Sequence, residues 1–213
     1  MKAVILNASA WMIVPFMDAL AKYLSSSMDV LQITWARYFF TVFWTLPFMF
    51  IFFRKNLTWS ENPKLQIVRG LTLFSANICF FYSISVISMA KALTLAFVAP
   101  LVTTALSPIL LGEKVGIKRW TAVIVGFIGS LVVIRPGFIE FNLATVAALG
   151  TGCLYGVYLI ITRKLHSTDN PLLTLLLTGI VGATVSTFFV PIVWVNPTNI
   201  QWLWLAIMGI LHV

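Results

Sequence analysis

The sequence predicts an all-α integral membrane protein, a polytopic bundle of transmembrane helices, from two observations. Hydrophobic residues make up 60% of the 213 residues and charged residues 9%, whereas soluble domains contain about 45–50% and about 25%. The apolar residues are also gathered into runs long enough to cross the roughly 30 Å hydrocarbon core of a bilayer. We therefore expect about eight membrane spans, with the lipid bilayer as their surroundings.

Eight apolar runs follow one another in the sequence, and we predict a membrane span in each. Pro15 and Asp18 interrupt the first run. A signal peptide has an uninterrupted apolar core, so a membrane span is the more consistent interpretation of this run. The eighth run stops at Val213 after about 20 Å of helix, so we expect the chain to be truncated. The predicted spans cover residues 3–24, 31–53, 70–89, 92–112, 120–134, 143–162 and 171–195, with an eighth from residue 200.

Spans three and four are the stretch around which we expect the chain to be organised. Only Ala90 and Lys91 separate them, which makes the pair an antiparallel hairpin. The second helix carries Pro100 and Pro108, and hydroxyl or amide side chains are scattered along both helices. Polar side chains and prolines persist at membrane depth where protein or a water-filled cavity meets them. We therefore predict that the hairpin is a cavity wall and that both prolines interrupt its second helix.

The distribution of charge predicts the orientation in the membrane. The net charge is +8, but the 14 Lys and Arg stand singly between apolar runs without a basic stripe, so nucleic acid is not an expected partner. Ten of these cations fall on one side of the predicted membrane and three on the other, while Arg37 lies inside a span. Because cytoplasmic loops are enriched in Lys and Arg, we predict a cytosolic N-terminus.

An internal repeat is indicated by two related stretches. SSSMDVLQ at residues 25–32 precedes span two and HSTDNPLL at residues 166–173 precedes span seven, which places Asp29 and Asp169 in corresponding positions. A repeat of five spans is odd-numbered, so the second copy would cross the membrane in the opposite direction. Inverted repeats of this kind are typical of secondary transporters, which bind their substrate near the midplane of the bilayer.

Several motifs resemble the EamA family of the drug/metabolite transporter superfamily. The strongest match is AKALTLAFVAPLVTTALSPILLGEK, through its proline and its terminal Glu113. The other motifs are Ala21-Lys22, Arg37-Tyr38-Phe39-Phe40, Arg69-Gly70, Arg119-Trp120 and VGFIGSLVVIRP at residues 125–136. The resemblance implies two inverted repeats of five transmembrane helices. The first covers residues 3–138, and a partial second repeat, truncated in its third helix, covers residues 143–213.

The resemblance also implies a function. Family members are secondary transporters, so we expect a small-metabolite substrate, alternating access, the cytoplasmic membrane of a bacterium, and a central cavity lined by spans 1–4 and 6–8. DALAKYL at residues 18–24, with RYFF at residues 37–40, is most similar to the branch that includes S-adenosylmethionine uptake carriers. A drug or amino-acid exporter of the same family is the alternative. In a homodimer, a second copy would supply the missing helices.

The sequence gives little support to an enzyme or a channel. Its two histidines are His166 and His212, and it contains no HExxH motif, nucleophile elbow or filter loop. We therefore expect no catalytic residues, no metal and no cofactor.

Four charged residues are predicted to lie in the outer half of the membrane: Asp18, Lys22, Arg37 and Lys91. A charge at the centre of a span costs roughly 2.5–3.5 kcal/mol on insertion scales and usually marks a pathway or an internal ion pair. Asp18 and Lys22 are four residues apart on one helix, so an ion pair with Lys22 reaching outward is an equal alternative. Arg37 lies roughly 9 Å inside its helix. It needs an acceptor, either Asp18 or an anionic group of the substrate.

Four further side chains fall near the predicted midplane and complete the candidate substrate site. They are Asn77, Tyr82, Thr103 and Tyr155. Each of them could hydrogen-bond a substrate, and a hydrogen bond between neighbouring helices is an equal alternative for each.

Glu113 closes span four, where the helix dipole disfavours a negative charge. It therefore needs a cation, and Arg69, Lys114 or Arg119 on the predicted cytosolic side could supply one. We expect a structural clasp or an inner gate there rather than a substrate ligand, with Pro100 in the same gating or structural set.

Overall fold

The structure of the chain is a computed structural model that describes residues 2–52, 60–134, 142–166 and 169–211. For residues 2–11, 52, 130, 133 and 134 the backbone alone is described. Much of the predicted polar loop before residue 66 and the predicted connector after residue 134 lie outside these ranges. In the described ranges every regular element is a helix.

The helices match the apolar runs of the sequence. They are α1 (Lys2–Leu24), α2 (Val30–Phe52), α3 (Pro63–Val86), α4 (Met89–Ala96), α5 (Ala99–Leu111), α6 (Ile117–Ile134), α7 (Leu143–Leu165), α8 (Pro171–Phe189) and α9 (Asn199–Leu211), with a 3-10 turn at Val190–Ile192. Among the described residues, four stretches are long and apolar enough to cross a membrane: α3, α4 with α5, α7, and α8 with its 3-10 turn. The prediction of an all-α polytopic membrane protein is confirmed.

Local sequence explains where several helices begin and end. Asn142 precedes α7, and its side-chain oxygen accepts a hydrogen bond of 3.0 Å from the Thr145 backbone N–H. Ser88 caps α4 in the same way by accepting from the Lys91 N–H. Gly112 ends α5 with a φ of 67°, a left-handed conformation that glycine adopts without steric cost.

The second helix of the predicted hairpin is broken once rather than twice. The break lies at residues 97–98, and Pro100 is in the first turn of α5. The N–H groups of a first turn have no partner within the helix, so a proline there costs no helical hydrogen bond. Pro108 lies inside α5, which continues to Leu111. The prediction that Pro108 also interrupts the helix is therefore wrong, because a proline removes one backbone hydrogen bond and a helix can continue through it.

The chain divides into two compact units, each of which combines distant parts of the sequence. The first unit contains residues Met1–Thr58 and Leu172–Val213, and the second contains Trp59–Pro171. The first unit thus holds α1, α2, α8 and α9, and the second holds α3 to α7. Each unit takes helices from both predicted repeats, so the repeats are not the packing units, and their assignment stays a prediction.

In the second unit, α7 packs against the break in the α4–α5 span. A Cβ atom built at Gly152 would lie 2.7 Å from the carbonyl oxygen of Ala96, and one at Gly156 would lie 2.9 Å from that of Ala99. The Thr103 hydroxyl donates to the Gly156 carbonyl at 3.3 Å. Small residues four apart allow this approach of two backbones.

In the first unit, α2 is the helix against which α8 and α9 pack. A Cβ at Gly182 would meet the Tyr38 ring at 2.6 Å, and one at Gly209 would lie 3.0 Å from the Phe40 backbone carbon. Gln32 donates to the Val195 carbonyl at 2.7 Å and accepts from the Val195 N–H at 3.0 Å. The amide side chain therefore fixes the segment that leads from α8 to α9.

Replacing Gly152 with Ala is expected to destabilise the fold by about 1–3 kcal/mol, the usual cost of overpacking. The added Cβ would press on the backbone of α4, which cannot move aside as the end of a flexible side chain can. The measurement is thermal unfolding of the purified chain in detergent, followed by tryptophan fluorescence.

Gly126 on α6 is the matched control, since no described atom lies within 4 Å of a Cβ built there. Gly126→Ala should leave the unfolding temperature unchanged or raise it slightly, because alanine favours a helix over glycine. Equal losses in the two variants would contradict the close approach of α7 to α4.

Candidate functional site

Asp18 on α1 and Arg37 on α2 are the two buried charges of the first unit, among its described side chains. Each is 5% exposed. The two opposite charges lie close enough to attract each other. Lys22, one turn after Asp18 on α1, is exposed. An opposite charge nearby offsets part of the desolvation cost of burying each of these groups.

The predicted outer-half set draws on both compact units. Asp18, Lys22 and Arg37 belong to the first unit, whereas Lys91, half-buried in the first turn of α4, belongs to the second. The structure brings Asp18 together with Arg37. The assembly of all four residues around one vestibule stays a prediction.

The predicted midplane residues all lie in the second unit. Asn77, Tyr82, Thr103 and Tyr155 are half-buried. The Thr103 hydroxyl donates within its own helix to the Ala99 carbonyl at 2.8 Å, as well as to α7. Its hydrogen-bonding capacity therefore serves helix packing, which was one of the two alternatives for it.

Arg69 is anchored to α7 by contacts that the sequence did not indicate. It is 5% exposed, and its guanidinium donates to the Thr162 hydroxyl at 2.7 Å and to the Tyr158 hydroxyl at 2.8 Å. Its central carbon lies 4.7 Å from the centroid of the Tyr158 ring. Tyr158 in turn stacks on Tyr155, with the ring centroids 5.4 Å apart and the planes 27° apart.

Glu113 forms a three-residue clasp at the end of α5. One carboxylate oxygen lies 3.7 Å from Arg119 of α6, which was among the expected partners. The other lies 2.9 Å from Arg163 in the last turn of α7. Arg163 directly follows the predicted span 143–162, which places it on the same side of the membrane as Glu113 in the predicted topology, and that shared side was the available signal for this pair. Pro100, in the same predicted set, is exposed at the start of α5.

Asp169 gathers hydrogen bonds from the segment that precedes α3. Its carboxylate is 8% exposed and accepts from the Ser60 hydroxyl, from the Gln66 amide at 2.6 Å and from the Glu61 N–H at 3.3 Å. Asp29, its counterpart in the predicted repeat, is exposed and accepts only a local bond among those observed, from the Leu31 N–H at 2.8 Å. The two aspartates therefore have different structural roles.

One open cleft lies beside this cluster. It has a volume of about 680 Å³ and is lined by Glu61, Pro63, Lys64 and Lys164, among others. The residues predicted to bind substrate do not line it. Within the described part of the chain, no three His, Cys, Asp or Glu side chains are placed to share a metal ion.

Comparison with known proteins identifies the family. The model of the EamA-like transporter family matches residues 1–135, more than half of the chain. The chain belongs to the EamA-like transporter family. The family resemblance found in the sequence motifs is thereby confirmed, and the family is one of transporters.

Relatives of this EamA-like chain include transporters of two small metabolites. An S-adenosylmethionine uptake transporter of Rickettsia prowazekii is 26% identical over 96% of this chain and 71% of its own length. The protein of the same name from Rickettsia bellii is 28% identical over 90% of this chain and 66% of its own length. A riboflavin transporter of Vibrio cholerae is 36% identical over 38% of this chain and 27% of its own length.

The EamA-like fold also matches a solved protein structure. A crystal structure superposes on 95% of this chain and 74% of its own with a TM-score of 0.61, at 19% sequence identity. At that identity the match concerns the fold alone.

In the EamA-like chain, replacing Asp169 with Asn is expected to cost about 1–3 kcal/mol of stability, because the amide would turn a donor toward groups that already donate. The measurement is the midpoint of thermal unfolding. Asp29→Asn is the control, since asparagine serves about as well as aspartate at a helix N-terminus. An equal effect at both positions would contradict the buried role of Asp169.

The Glu113–Arg163 pair should contribute little to stability, since the two side chains are 35% and 50% exposed. We expect a double-mutant cycle of Glu113→Gln and Arg163→Gln to give a coupling of about 0.2–1 kcal/mol, weakened by 1 M salt. The same cycle with Lys118→Gln, an exposed cation on α6, should give no coupling. Equal coupling in both cycles would show a general charge effect rather than this pair.

Proposed function

We propose that the chain is part or all of a secondary transporter that moves a small metabolite across the cytoplasmic membrane of a bacterium by alternating access. The observation that supports the proposal most is family membership together with the relatives that carry S-adenosylmethionine. The excess of cations on one side favours a cytosolic N-terminus. Residue roles are assigned from the buried charges of the first unit and the clasp of the second.

Arg37 is assigned to an anionic group of the substrate, such as a carboxylate. The guanidinium offers a planar, two-pronged donor that matches a carboxylate, and at 5% exposure it is largely shielded from the competing hydrogen bonds of solvent. Asp18 holds Arg37 by their mutual attraction when the site is empty. Carriers need such an exchange of partners, because a buried cation without an acceptor is costly in both the loaded and the empty state.

The substrate class follows from the same relatives. S-adenosylmethionine carries a carboxylate and an adenine ring, and riboflavin carries a fused three-ring system without a carboxylate. A carboxylate partner at Arg37 therefore favours S-adenosylmethionine over riboflavin. A drug or amino-acid exporter of the family is the second candidate, supported by the same buried arginine but not by the relatives.

The clasp of Glu113 with Arg163 and Arg119 is assigned to closure of the cytosolic end. It joins the end of α5 to the ends of α6 and α7 by charges that are about half exposed. Such a clasp can open at little cost, since exposed ion pairs contribute about 0–1 kcal/mol. This low cost suits a gate that must open in every transport cycle.

Transport is tested with the chain reconstituted in lipid vesicles and radiolabelled S-adenosylmethionine. If a second copy supplies the missing helices in a homodimer, we expect saturable uptake that is accelerated by unlabelled S-adenosylmethionine on the opposite side. Uptake that rises linearly with concentration would indicate a channel instead. No uptake at all, with the chain shown to be folded and inserted, would contradict the proposal for these 213 residues.

Replacing Arg37 with Met should abolish uptake without unfolding the chain, although the unfolding temperature should fall because the buried Asp18 loses its cation. Arg37→Lys should weaken substrate affinity by about tenfold or more, because a hydrogen bond to a charged group contributes roughly 1.5–3 kcal/mol and lysine cannot form the paired bonds. The matched control is Lys118→Met, which removes an exposed cation outside the assigned residues. Normal uptake by Arg37→Met would show that Arg37 has a structural role only.

A further inference from the structure

The cleft beside Asp169 combines positive charge with apolar side chains. Its volume is about 680 Å³, within the roughly 300–1,000 Å³ that small-molecule sites occupy. The described residues that line it all belong to the second unit, around the start of α3 and at the end of α7. They include the cations Lys64 and Lys164, the carboxylate of Glu61 and the apolar side chains of Leu65 and Val68. We call it the α3–α7 cleft.

The antiparallel packing of α3 and α7 places this cleft at a membrane boundary. Near the start of α3, Arg69 donates to the Thr162 hydroxyl near the end of α7 at 2.7 Å. Near the end of α3, Ser83 donates to the Ala144 carbonyl near the start of α7, also at 2.7 Å. Both helices are long and apolar enough to cross a membrane. The start of α3 and the end of α7 therefore reach the same face of the bilayer, where the phospholipid headgroups lie.

The charged lining of the cleft suits a phosphate group. Lys64 is in the first turn of α3 and Lys164 is in the last turn of α7, and both side chains are exposed. Lysine binds phosphate as a point charge, and the start of a helix carries the positive end of the helix dipole. With the carboxylate of Glu61, the two ammonium groups leave one net positive charge on the lining. That charge matches the single negative charge of a phosphodiester.

The apolar lining favours a lipid over a soluble phosphate. Val68 lines the cleft, and Val68 and Leu71 are 46% and 39% exposed. Lys64, Val68 and Leu71 follow one another at intervals of four and three residues, so they share one face of α3. Uncovered apolar surface therefore extends from the cation toward the interior of the membrane, where acyl chains lie. Inorganic phosphate would leave this surface unused.

We propose that the α3–α7 cleft binds an anionic phospholipid such as phosphatidylglycerol. Its phosphate lies between Lys64 and Lys164, and an acyl chain follows Val68 and Leu71. The predicted topology places this end of α3 on the cytosolic side, and the cytoplasmic leaflet carries anionic lipids that attract Lys and Arg near its surface. The site lies within one compact unit and goes beyond the proposed transport function, since no residue assigned to transport belongs to it.

The test is a titration of the purified full chain in detergent micelles with one phospholipid at a time, followed by native mass spectrometry, which counts bound lipids. The probes are phosphatidylglycerol, phosphatidylcholine with the same acyl chains, and glycerophosphoglycerol, which is the headgroup without acyl chains. We expect the first phosphatidylglycerol to bind more tightly than phosphatidylcholine, whose headgroup has no net charge. Glycerophosphoglycerol should bind at least about tenfold more weakly, because it buries no acyl chain.

The variants test the two lysines. Lys64→Gln and Lys164→Gln should each weaken phosphatidylglycerol binding by about fivefold, the effect of one cation near an anionic lipid. Lys64→Arg keeps the charge and should bind within about twofold of the unaltered chain. Glu61→Gln removes the negative charge from the same cleft and should tighten binding. Lys118→Gln is the matched control, because it removes an exposed cation of α6 on the same predicted side, outside the cleft, and should change nothing.

Three outcomes would overturn the lipid site. The first is an equal affinity for phosphatidylglycerol in Lys64→Gln, Lys164→Gln and Lys118→Gln, which would show general contact with lipid. The second is phosphatidylcholine bound as tightly as phosphatidylglycerol, or weaker binding in Glu61→Gln, which would show a zwitterionic headgroup. The third is glycerophosphoglycerol bound as tightly as the lipid, which would show a site for soluble phosphates. Absence of uptake by the reconstituted chain would leave these results unchanged, because lipid binding is measured without a transported substrate.

Discussion

Lipid offers no hydrogen-bond partners, and this constraint accounts for the arrangement of the described backbone and of most polar side chains on it. Helices satisfy the backbone within each segment. Hydroxyl side chains also form hydrogen bonds within their own helix. Those of Thr103, Thr162 and Ser186 donate to the carbonyl one turn earlier. Where a polar group cannot be satisfied locally, as at Arg69 and Asp169, hydroxyls and amides from other segments converge on it.

This local satisfaction changes the meaning of polar residues in a membrane span. The hydroxyls scattered along the predicted hairpin suggested a cavity wall. The structure gives several of them other partners: Thr94 donates to Ala90, Ser107 donates to Thr103, and Ser83 reaches the Ala144 carbonyl of α7 at 2.7 Å. A hydroxyl in a span therefore does not by itself require a water-filled cavity. Buried charges are more informative, because one helix cannot neutralise them alone.

Fold class and span positions could be predicted because the free energy of transferring a segment into lipid depends almost entirely on the residues of that segment. The predicted second span, residues 31–53, begins one residue after the observed start of α2 at Val30, and residue 53 lies outside the described residues. The break before Pro100 could be placed only approximately. The helix that packs against the break does so at Gly152 and Gly156, which are more than fifty residues away in the sequence.

The candidate site was harder to predict for the same reason. Several cations were available to Glu113 on one side of the membrane, and only the packing of α7 against α5 selects Arg163. Tyr158 carried no signal of its own, since tyrosine is common in spans and its importance comes from contact with Arg69 and Tyr155. Residue type predicts which chemistry is present, whereas helix packing decides which residues meet.

Asp169 has a structural role that its place in the predicted repeat does not describe, and the repeat itself stays a prediction. Asp169 was singled out because it corresponds to Asp29 in a predicted repeat, yet its partners lie at the far end of its own unit in sequence. The chain passes between the two compact units at residues 58–59 and 171–172. Ser60 and Asp169, hydrogen-bonded to each other, lie within two residues of these passages. The second unit therefore ties its two connections together at one buried carboxylate, so the segments that enter and leave it cannot separate without breaking that hydrogen bond.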